Sequence, residues 1–248
     1  MTEITLQGRV AVVTGASRGI GYHLAKALAA EGVHVIALAR TVGGLEDLDD
    51  EIKGLGGSAT LVPLDLMDYD GIDRLGAAIY ERWGKLDMLV GNAGMLGGLS
   101  PLGHIDIKTF DKVMALNVTA NWRLIRSLDP LLRQSDAGRA VFLTSSAAHK
   151  CKPFWGVYSA SKAALEALVR TYAGETQSTA VRVNLLNPGA MRTAMRAKAM
   201  PGEDPETLPH PSEVAPQIIT MLRPTFTDTG RLFDRPSGMF KDFVPLVV

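Results

Sequence analysis

Short apolar runs alternate with stretches of helical periodicity along most of the chain. The runs lie at 10–13, 33–38, 59–62, 88–90, 140–143 and 181–186, and the helical stretches at 22–31, 45–53, 72–83, 107–133 and 158–176. Continuous apolar runs rich in Val, Ile and Leu are typical of parallel strands covered on both faces. Because parallel strands need right-handed crossovers, the alternation predicts an α/β fold with a doubly wound parallel sheet in three αβα layers. No linker interrupts it, so we predict a single domain over 1–248, with a crevice at the carboxyl ends of the strands.

Composition excludes several classes of protein. The chain has 26 Lys and Arg against 26 Asp and Glu, so no basic excess exists to bind nucleic acid or an acidic membrane surface. No apolar stretch reaches the roughly 18 residues of a membrane span, and the first residues contain no apolar signal core. One cysteine, Cys151, rules out an intrachain disulfide. We therefore expect a cytoplasmic protein, and no metal, because none of the five His has metal-ligand spacing to another.

Glycine is enriched, and one cluster follows the first predicted strand. Glycine makes up 25 of 248 residues, and Thr14-Gly15-Ala16-Ser17-Arg18-Gly19-Ile20-Gly21 lies between that strand and the first predicted helix. Glycines there let the chain turn sharply and bring backbone N–H groups against a pyrophosphate, which predicts a Rossmann-type dinucleotide site. Gly15 to Gly19 also match the nucleophile elbow of serine hydrolases, with Ser17 as nucleophile. That elbow needs an oxyanion donor from an earlier strand loop, and only one strand precedes Ser17.

The second predicted strand ends in Leu38-Ala39-Arg40. Sites for NAD usually place an Asp or Glu about 20 residues after the glycine loop, where it binds the ribose hydroxyls. Here a guanidinium stands instead, and Arg18 in the glycine loop can reach the same side. Because guanidinium groups suit a 2′-phosphate, the sequence predicts NADP(H) rather than NAD(H).

Tyr158 and Lys162 stand four residues apart at the start of a predicted helix, on one helical face. A phenol with a pKa of about 10 is a poor acid or base at neutral pH, and a neighbouring ammonium lowers that pKa. Ser145 follows the fifth predicted strand, and Asn92–Gly94 follows the fourth. The carboxyl ends of parallel strands meet at one edge, so we expect these residues to share the crevice.

Together these residues resemble the short-chain dehydrogenase/reductase family. The motifs run in that family's order: Thr14-Gly15-x-x-x-Gly19-x-Gly21, Asp65-Leu66, Asn92-Ala93-Gly94, Asn117, Ser145, Tyr158-x-x-x-Lys162, and Pro188-Gly189 with Thr193. The resemblance implies that Tyr158 exchanges a proton with the substrate oxygen while a hydride passes to or from nicotinamide. Lys162 then binds the nicotinamide ribose and lowers the pKa of the phenol. Ser145, with Ser146 as its rival, binds the substrate oxygen, and Asn117 holds a water that relays protons.

The resemblance also implies a set of cofactor contacts, mostly at the glycine loop and the strand ends. These are Gly15, Ser17, Arg18, Gly19, Ile20, Gly21, Arg40, Asp65, Leu66, Asn92, Ala93, Gly94, Tyr158, Lys162, Pro188, Gly189 and Thr193. It divides the chain into a cofactor half, about 1–135, and a catalytic and substrate half, about 136–248. It further implies a homotetramer or homodimer formed through the C-terminal end and the long helices, with the apolar 243–248 as one candidate surface.

Substrate contacts are expected from the loop after the fourth strand, the loop before Tyr158, and a lid at 190–211. This last stretch is rich in Met and Pro and is predicted to be irregular. The candidate contacts are Leu96, Cys151, Phe154, Trp155, Met191 and Met195. Such an apolar lining suits a medium-sized ketone, aldehyde or alcohol, whereas Lys150 and Lys152 beside it are interpreted as solvated loop charges. The sequence thus predicts an NADP(H)-dependent carbonyl reductase or alcohol dehydrogenase, with a catalytically silent dinucleotide-sensing or scaffold protein as the alternative.

Overall fold

A single eight-stranded sheet forms the centre of the computed structural model, which describes residues 5–243. The strands follow the order β3-β2-β1-β4-β5-β6-β7-β8, and all neighbours pair in parallel except β7 and β8. Their bounds are β1 (Val10–Thr14), β2 (His34–Ala39), β3 (Ser58–Pro63), β4 (Met88–Gly91), β5 (Arg139–Leu143), β6 (Arg182–Asn187), β7 (Leu232–Asp234) and β8 (Met239–Lys241). The predicted doubly wound α/β sheet is confirmed.

Helices cover both faces of the sheet, which gives the three predicted layers. They are α1 (Gly19–Ala30), α2 (Val42–Gly54), α3 (Tyr69–Trp83), α4 (Ile107–Met114), α5 (Ala120–Arg133), α6 (Ala147–Lys150), α7 (Gly156–Glu175), α8 (Ala194–Ala199) and α9 (Ala215–Leu222). One apolar core lies between the sheet and α1, α2 and α9, and the other between the sheet and α3, α5 and α7. Between residues 5 and 243, no helix is long and apolar enough to cross a membrane.

The stretch predicted as one helix over 107–133 is interrupted. Between α4 and α5 lies a π-helical turn, Ala115–Thr119, in which the Ala120 N–H bonds the Ala115 carbonyl. Asn117 is fully buried in this turn, and its own carbonyl accepts a hydrogen bond of 2.9 Å from the Asn121 side chain. Such turns often mark functional sites, because the extra residue re-aims a side chain.

The segment 190–211 is folded, so the expectation of an irregular stretch is wrong. Thr193 caps α8 by accepting a hydrogen bond of 3.2 Å from the Arg196 N–H. Arg196 then pairs with Glu203, and the Arg192 N–H bonds the carbonyl of Pro209 at 2.9 Å, which closes the segment on itself. Helix α8 is held by these local bonds and is too short to show the apolar periodicity by which a helix is recognised in a sequence. The role of the segment as a lid stays a prediction.

The strands that lead to Asn92 and Ser145 are locked together by one aromatic ring. Phe142 is fully buried in β5, and its ring occupies the place where a Cβ on Gly91 of β4 would stand. That Cβ would also lie 2.8 Å from the side-chain oxygen of Asn121. The packing of Phe142 and Asn121 therefore leaves room only for glycine at position 91, where β4 ends.

This packing predicts that Gly91→Ala destabilises the protein by about 1–3 kcal/mol, because the methyl group overpacks a closed core. The matched control is Gly54→Ala on α2, where an added Cβ meets nothing within 4 Å. We expect the control to be neutral or stabilising by up to about 1 kcal/mol. The measurement is the free energy of unfolding in urea, and equal values for the two variants would contradict the packing argument.

Candidate active site

One large crevice of about 1660 Å³ opens at the carboxyl ends of the strands. Its lining combines the loops after β1 through β6 with α8 and the side of α4. Of the predicted catalytic, cofactor and substrate residues, all line it except Gly21, Asn117, Cys151 and Phe154. The fold therefore gathers residues from six separate loops into a single site, as the strand-end rule requires.

The glycine loop turns through two left-handed glycines. Gly15 and Gly19 have φ angles of 66° and 60°, and a Cβ on Gly15 would lie 3.0 Å from the amide nitrogen of Asn92. Gly21 stands behind the loop, where a Cβ would collide with the Gly15 carbonyl. Gly21 thus lets α1 approach the loop closely, whereas Gly15 and Gly19 keep the backbone open toward the crevice.

The ends of β1 and β4 are tied by Thr14. Its hydroxyl accepts hydrogen bonds of 3.0 Å from the N–H groups of Asn92 and Ala93 and donates to the Val90 carbonyl at 3.2 Å. The Asn92 side chain returns a bond of 2.8 Å to the Thr14 carbonyl. These hydrogen bonds tie the glycine loop to Asn92–Gly94, so the two form one continuous wall of the crevice.

Two arginines stand at the same end of the crevice. Arg18 and Arg40 are both exposed and line it, and the Arg40 guanidinium lies 3.8 Å from Asp65. That pair contributes little energy, because both side chains are more than 40% exposed and water screens them. Asp65 also accepts a hydrogen bond of 3.0 Å from the Met67 N–H, so it shapes its own loop. Both guanidinium groups therefore remain available to an anion in the crevice.

Three successive residues at the end of β5 meet three successive turns of α7. The Lys162 ammonium donates to the Leu143 carbonyl at 2.8 Å, and the Thr144 hydroxyl donates to the Glu166 carboxylate at 2.6 Å. The Ser145 side chain is close enough to the Tyr158 hydroxyl to act on the phenol, lowering its pKa. The spacing 158, 162 and 166 puts one contact on each turn of the helix. The strand end thereby fixes both the phenol and the ammonium.

Burial sets the proton affinities of this pair. It raises the pKa of Tyr158 to about 12, with the Ser145 hydrogen bond acting in the opposite sense. It lowers the pKa of Lys162 to about 8, opposed by the charge of Glu166. The net shift of the phenol's pKa is therefore upward rather than downward as expected, because desolvation outweighs the attraction of an ammonium that lies 5.8 Å from the ring centroid. Tyr158 is a protonated phenol at neutral pH.

Ser145, rather than its neighbour, contacts the phenol. The Ser146 N–H instead donates to the Asn187 side chain at 3.3 Å, and Ser146 precedes the short helix α6 without a side-chain capping bond. Asn117 does not reach the crevice. Its amide bonds the Met95 backbone at both N–H and carbonyl, each at 2.9 Å, and donates to Ser161 at 2.9 Å. It thus anchors the loop after β4 to α7, and its proposed water stays a prediction.

The substrate end of the crevice is an apolar cluster around the phenol. Its buried members are Leu96, Tyr158 and Ala199, with Ala147, Trp155, Met195 and Met200 packed against them. Two residues expected to contact substrate, Cys151 and Phe154, are exposed and lie outside the crevice lining, so their contacts stay a prediction. Both adopt left-handed backbone conformations, with φ of 42° and 72°, which turn the loop outward at these positions. Nothing in the sequence marks two non-glycine residues for that conformation.

Comparison with known proteins identifies the chain. The family profile for short chain dehydrogenases matches residues 9–204. The chain belongs to the short-chain dehydrogenase family. This short-chain dehydrogenase is 37% identical to the uncharacterized oxidoreductase YciK of Escherichia coli (strain K12) over 237 residues, 94% of each chain. It is an oxidoreductase, and the serine hydrolase alternative through Ser17 is wrong.

Two solved structures of relatives contain a dinucleotide. A protein of Shigella flexneri 2a, complexed with NADP, superposes with a TM-score of 0.90 at 36% identity and covers 95% of this chain and 100% of its own. A protein of Escherichia coli CFT073, complexed with NADPH, gives 0.87 at 37% identity over 93% and 98%. Both identities are high enough to compare sites as well as folds.

The crevice of this short-chain dehydrogenase is strongly cationic, which neutral composition concealed. Ten Lys and Arg line it against three Asp: Arg18, Arg40, Lys112, Lys150, Lys152, Lys162, Arg192, Arg196, Lys198 and Lys241, with Asp65, Asp234 and Asp242. Only three of the ten, Arg18, Arg40 and Lys162, were assigned to the site from the sequence. Lys112 and Lys198 were missed because they depend on which face α4 and α8 present to the crevice.

The buried ammonium predicts a pH-dependent stability. The pKa of Lys162 falls from 10.5 to about 8 on folding, so folding loses stability as the pH falls through that window. Lys162→Met carries no such charge, and its stability relative to the native protein should rise by about 1–3 kcal/mol between about pH 10 and pH 7. Urea unfolding at both pH values measures this, with exposed Lys108→Met as control. Parallel behaviour of all three proteins would contradict the assignment.

Proposed function

We propose that this short-chain dehydrogenase is an NADP(H)-dependent carbonyl reductase or alcohol dehydrogenase, with Tyr158 as its acid and base. The observation that carries the proposal is the joint placement of Ser145, Tyr158 and Lys162 where β5 meets α7, inside the crevice lined by Arg18 and Arg40. A protonated phenol, a buried cation and a hydroxyl at one point are the groups that a carbonyl oxygen needs as it becomes an alcohol.

The crevice fits a dinucleotide in shape and charge. Its volume, the left-handed Gly15 and Gly19, and Gly94, where a Cβ would come 3.6 Å from the Lys162 ammonium, leave room for a ligand along the backbone. The residues that would hold it are Gly15, Ser17, Arg18, Gly19, Ile20, Arg40, Asp65, Leu66, Asn92, Ala93, Gly94, Lys162, Pro188, Gly189 and Thr193. When bound, NADPH supplies a hydride to the carbonyl carbon.

A 2′-phosphate is favoured over ribose hydroxyls by the two exposed guanidinium groups. Arg40 follows β2, where NAD sites usually present a carboxylate, and its only ion pair among residues 5–243 is the long contact with Asp65. The relatives from Shigella flexneri 2a and Escherichia coli CFT073 were solved with NADP and NADPH, which supports the same choice here.

The proton follows a path fixed by the β5–α7 contact. Tyr158, protonated at neutral pH, donates to the carbonyl oxygen, while the Ser145 hydroxyl holds that oxygen with a second hydrogen bond. The phenolate left behind is stabilised by the Lys162 ammonium, the nearest buried cation. The carbonyl carbon gains a hydride and the carbonyl oxygen gains the proton of Tyr158, which together give the alcohol. In the reverse direction the phenolate takes the proton of the alcohol.

We further propose a cytoplasmic homodimer or homotetramer. Large apolar side chains are exposed along α4 and α5, namely Ile107, Phe110 and Trp122, and a second copy of the chain would cover them. The free thiol of Cys151 is exposed, which suits a reducing compartment. The expected contribution of 244–248 to the assembly lies outside the described residues.

The reductase proposal predicts that Tyr158→Phe lowers turnover of a carbonyl substrate by about 10²–10⁴-fold, because the proton donor is lost. The ring remains, so NADPH affinity should change little. A panel of medium-chain ketones and aldehydes, followed by NADPH absorbance, identifies a substrate, and NADPH fluorescence measures binding. Undiminished turnover of the carbonyl substrate by Tyr158→Phe would contradict the proposal. NADPH binding without turnover of any carbonyl would favour the silent sensing or scaffold protein.

The cofactor proposal predicts that Arg40→Asp weakens NADPH by about 10–100-fold, since a charge-assisted hydrogen bond is lost and a repulsive charge is added. The affinity for NADH should change little or improve. Arg82→Asp, exposed on α3 and outside the crevice, is the matched control and should leave both affinities unchanged. Equal weakening of NADPH and NADH by Arg40→Asp would contradict the role of Arg40 at the 2′-phosphate.

A further inference from the structure

Four lysines line the same crevice as the apolar cluster around Tyr158. Lys112 lies on α4, Lys150 at the end of α6, Lys152 in the loop that follows, and Lys198 on α8. All four are exposed and line the crevice. They come from three separate parts of the fold, so their convergence is not a consequence of a charged run in the sequence.

Three of the four lysines, Lys112, Lys152 and Lys198, belong to chain segments that border the apolar cluster around the phenol. Lys198 precedes Ala199 of that cluster, and the carbonyl of Lys152 accepts a hydrogen bond of 3.2 Å from the N–H of Trp155. On the α4 side, the space beside Gly97 is bounded by Thr109 and Val113, the residue after Lys112. The apolar cluster at Tyr158 and the four ammonium groups therefore share one crevice.

These ammonium groups have no protein counter-ion. Other cations on this side of the crevice are paired: Arg192 with Glu206, Arg196 with Glu203, and Lys241 with Asp234. By contrast, no carboxylate within residues 5–243 lies within 4.0 Å of the four lysine ammonium groups. The chain as a whole has zero net charge, so a general basic excess does not explain them. Like charges at one opening repel each other, and an anion there would relieve the repulsion.

We propose that the substrate of this enzyme is an amphipathic carbonyl compound, apolar beside the carbonyl and anionic at its outer end. The anionic group is a carboxylate or a phosphate, held at the opening by Lys112, Lys150, Lys152 and Lys198. The inference rests on the proposed reductase function, since it places the carbonyl at Tyr158. It replaces the interpretation of Lys150 and Lys152 as solvated loop charges.

Binding of chain-matched probes tests the anion directly, without turnover. Decanoate, decyl phosphate, decanol and decyltrimethylammonium share one apolar chain and differ in the end group. Isothermal titration of the protein, with and without NADPH, should give at least about tenfold tighter binding of an anionic probe than of decanol, because several partly screened ion pairs add. Whichever anion binds more tightly distinguishes carboxylate from phosphate. Equal affinities for decanol and both anions would overturn the proposal.

Charge reversal locates the effect. Lys112→Glu, and Lys150→Glu with Lys152→Glu, should abolish the anion preference and leave decanol binding unchanged. The matched control is Lys108→Glu, exposed one turn earlier on α4 and absent from the crevice lining. It should keep the full preference. Loss of the preference in the control as well would mean a diffuse field rather than this opening, and would contradict the proposal.

The two proposals fail in different ways. Tyr158→Phe should keep the anion preference while turnover is lost. If the native protein reduces neutral and anionic ketones of equal length with the same kcat/KM and binds the probes equally, the anionic substrate is excluded and the reductase stands. If decanoate binds but no carbonyl compound is reduced, the reductase fails while the anion site stands.

Discussion

The buried ammonium of Lys162 donates to the last carbonyl of β5, and the surrounding structure is arranged to support that cation. Removing an ammonium from water costs free energy, and this desolvation lowers the pKa of Lys162 to about 8. Glu166, one turn further along α7, opposes the shift and is itself held by Thr144 and by His149 at 2.9 Å. The same strand end presents Ser145 to Tyr158. The contact between β5 and α7 thus positions both groups, Ser145 and Tyr158, that we propose to contact the reacting oxygen.

The neutral composition of the chain hides an uneven distribution of its charged side chains. The chain is neutral, yet its crevice is lined by ten cations and three acids. At one end Arg18 and Arg40 stand where a phosphate would bind the glycine loop, and at the other the lysines stand around an apolar surface. Low-dielectric walls focus such a field, which is the physical basis for the anionic ligands that we propose at both ends of the crevice.

The sequence predicts those features that depend on simple periodicity and on strand ends. Apolar runs located β1 to β6 within one residue of their observed bounds. For the five of these strands inside the sheet the reason is that strands buried on both faces tolerate few polar residues. The strand-end rule likewise brought Asn92 and Ser145 to the crevice. The sequence does not show that the Tyr158 phenol is buried, so the shift of its pKa was predicted in the wrong direction. Left-handed Phe154, the turn around Asn117 and the inward face of α4 depend on tertiary contacts that no local pattern encodes.

Transfer of hydrogen from cofactor to product tests the central claim most directly. The protein would be given NADPH carrying deuterium at C4 of the nicotinamide, on the face from which transfer occurs, together with a ketone it binds in the crevice. If the crevice holds the dinucleotide beside Tyr158, mass spectrometry should find one deuterium on the carbinol carbon of each alcohol molecule. Alcohol without deuterium from either C4 epimer, or no alcohol although both ligands bind, would contradict the account.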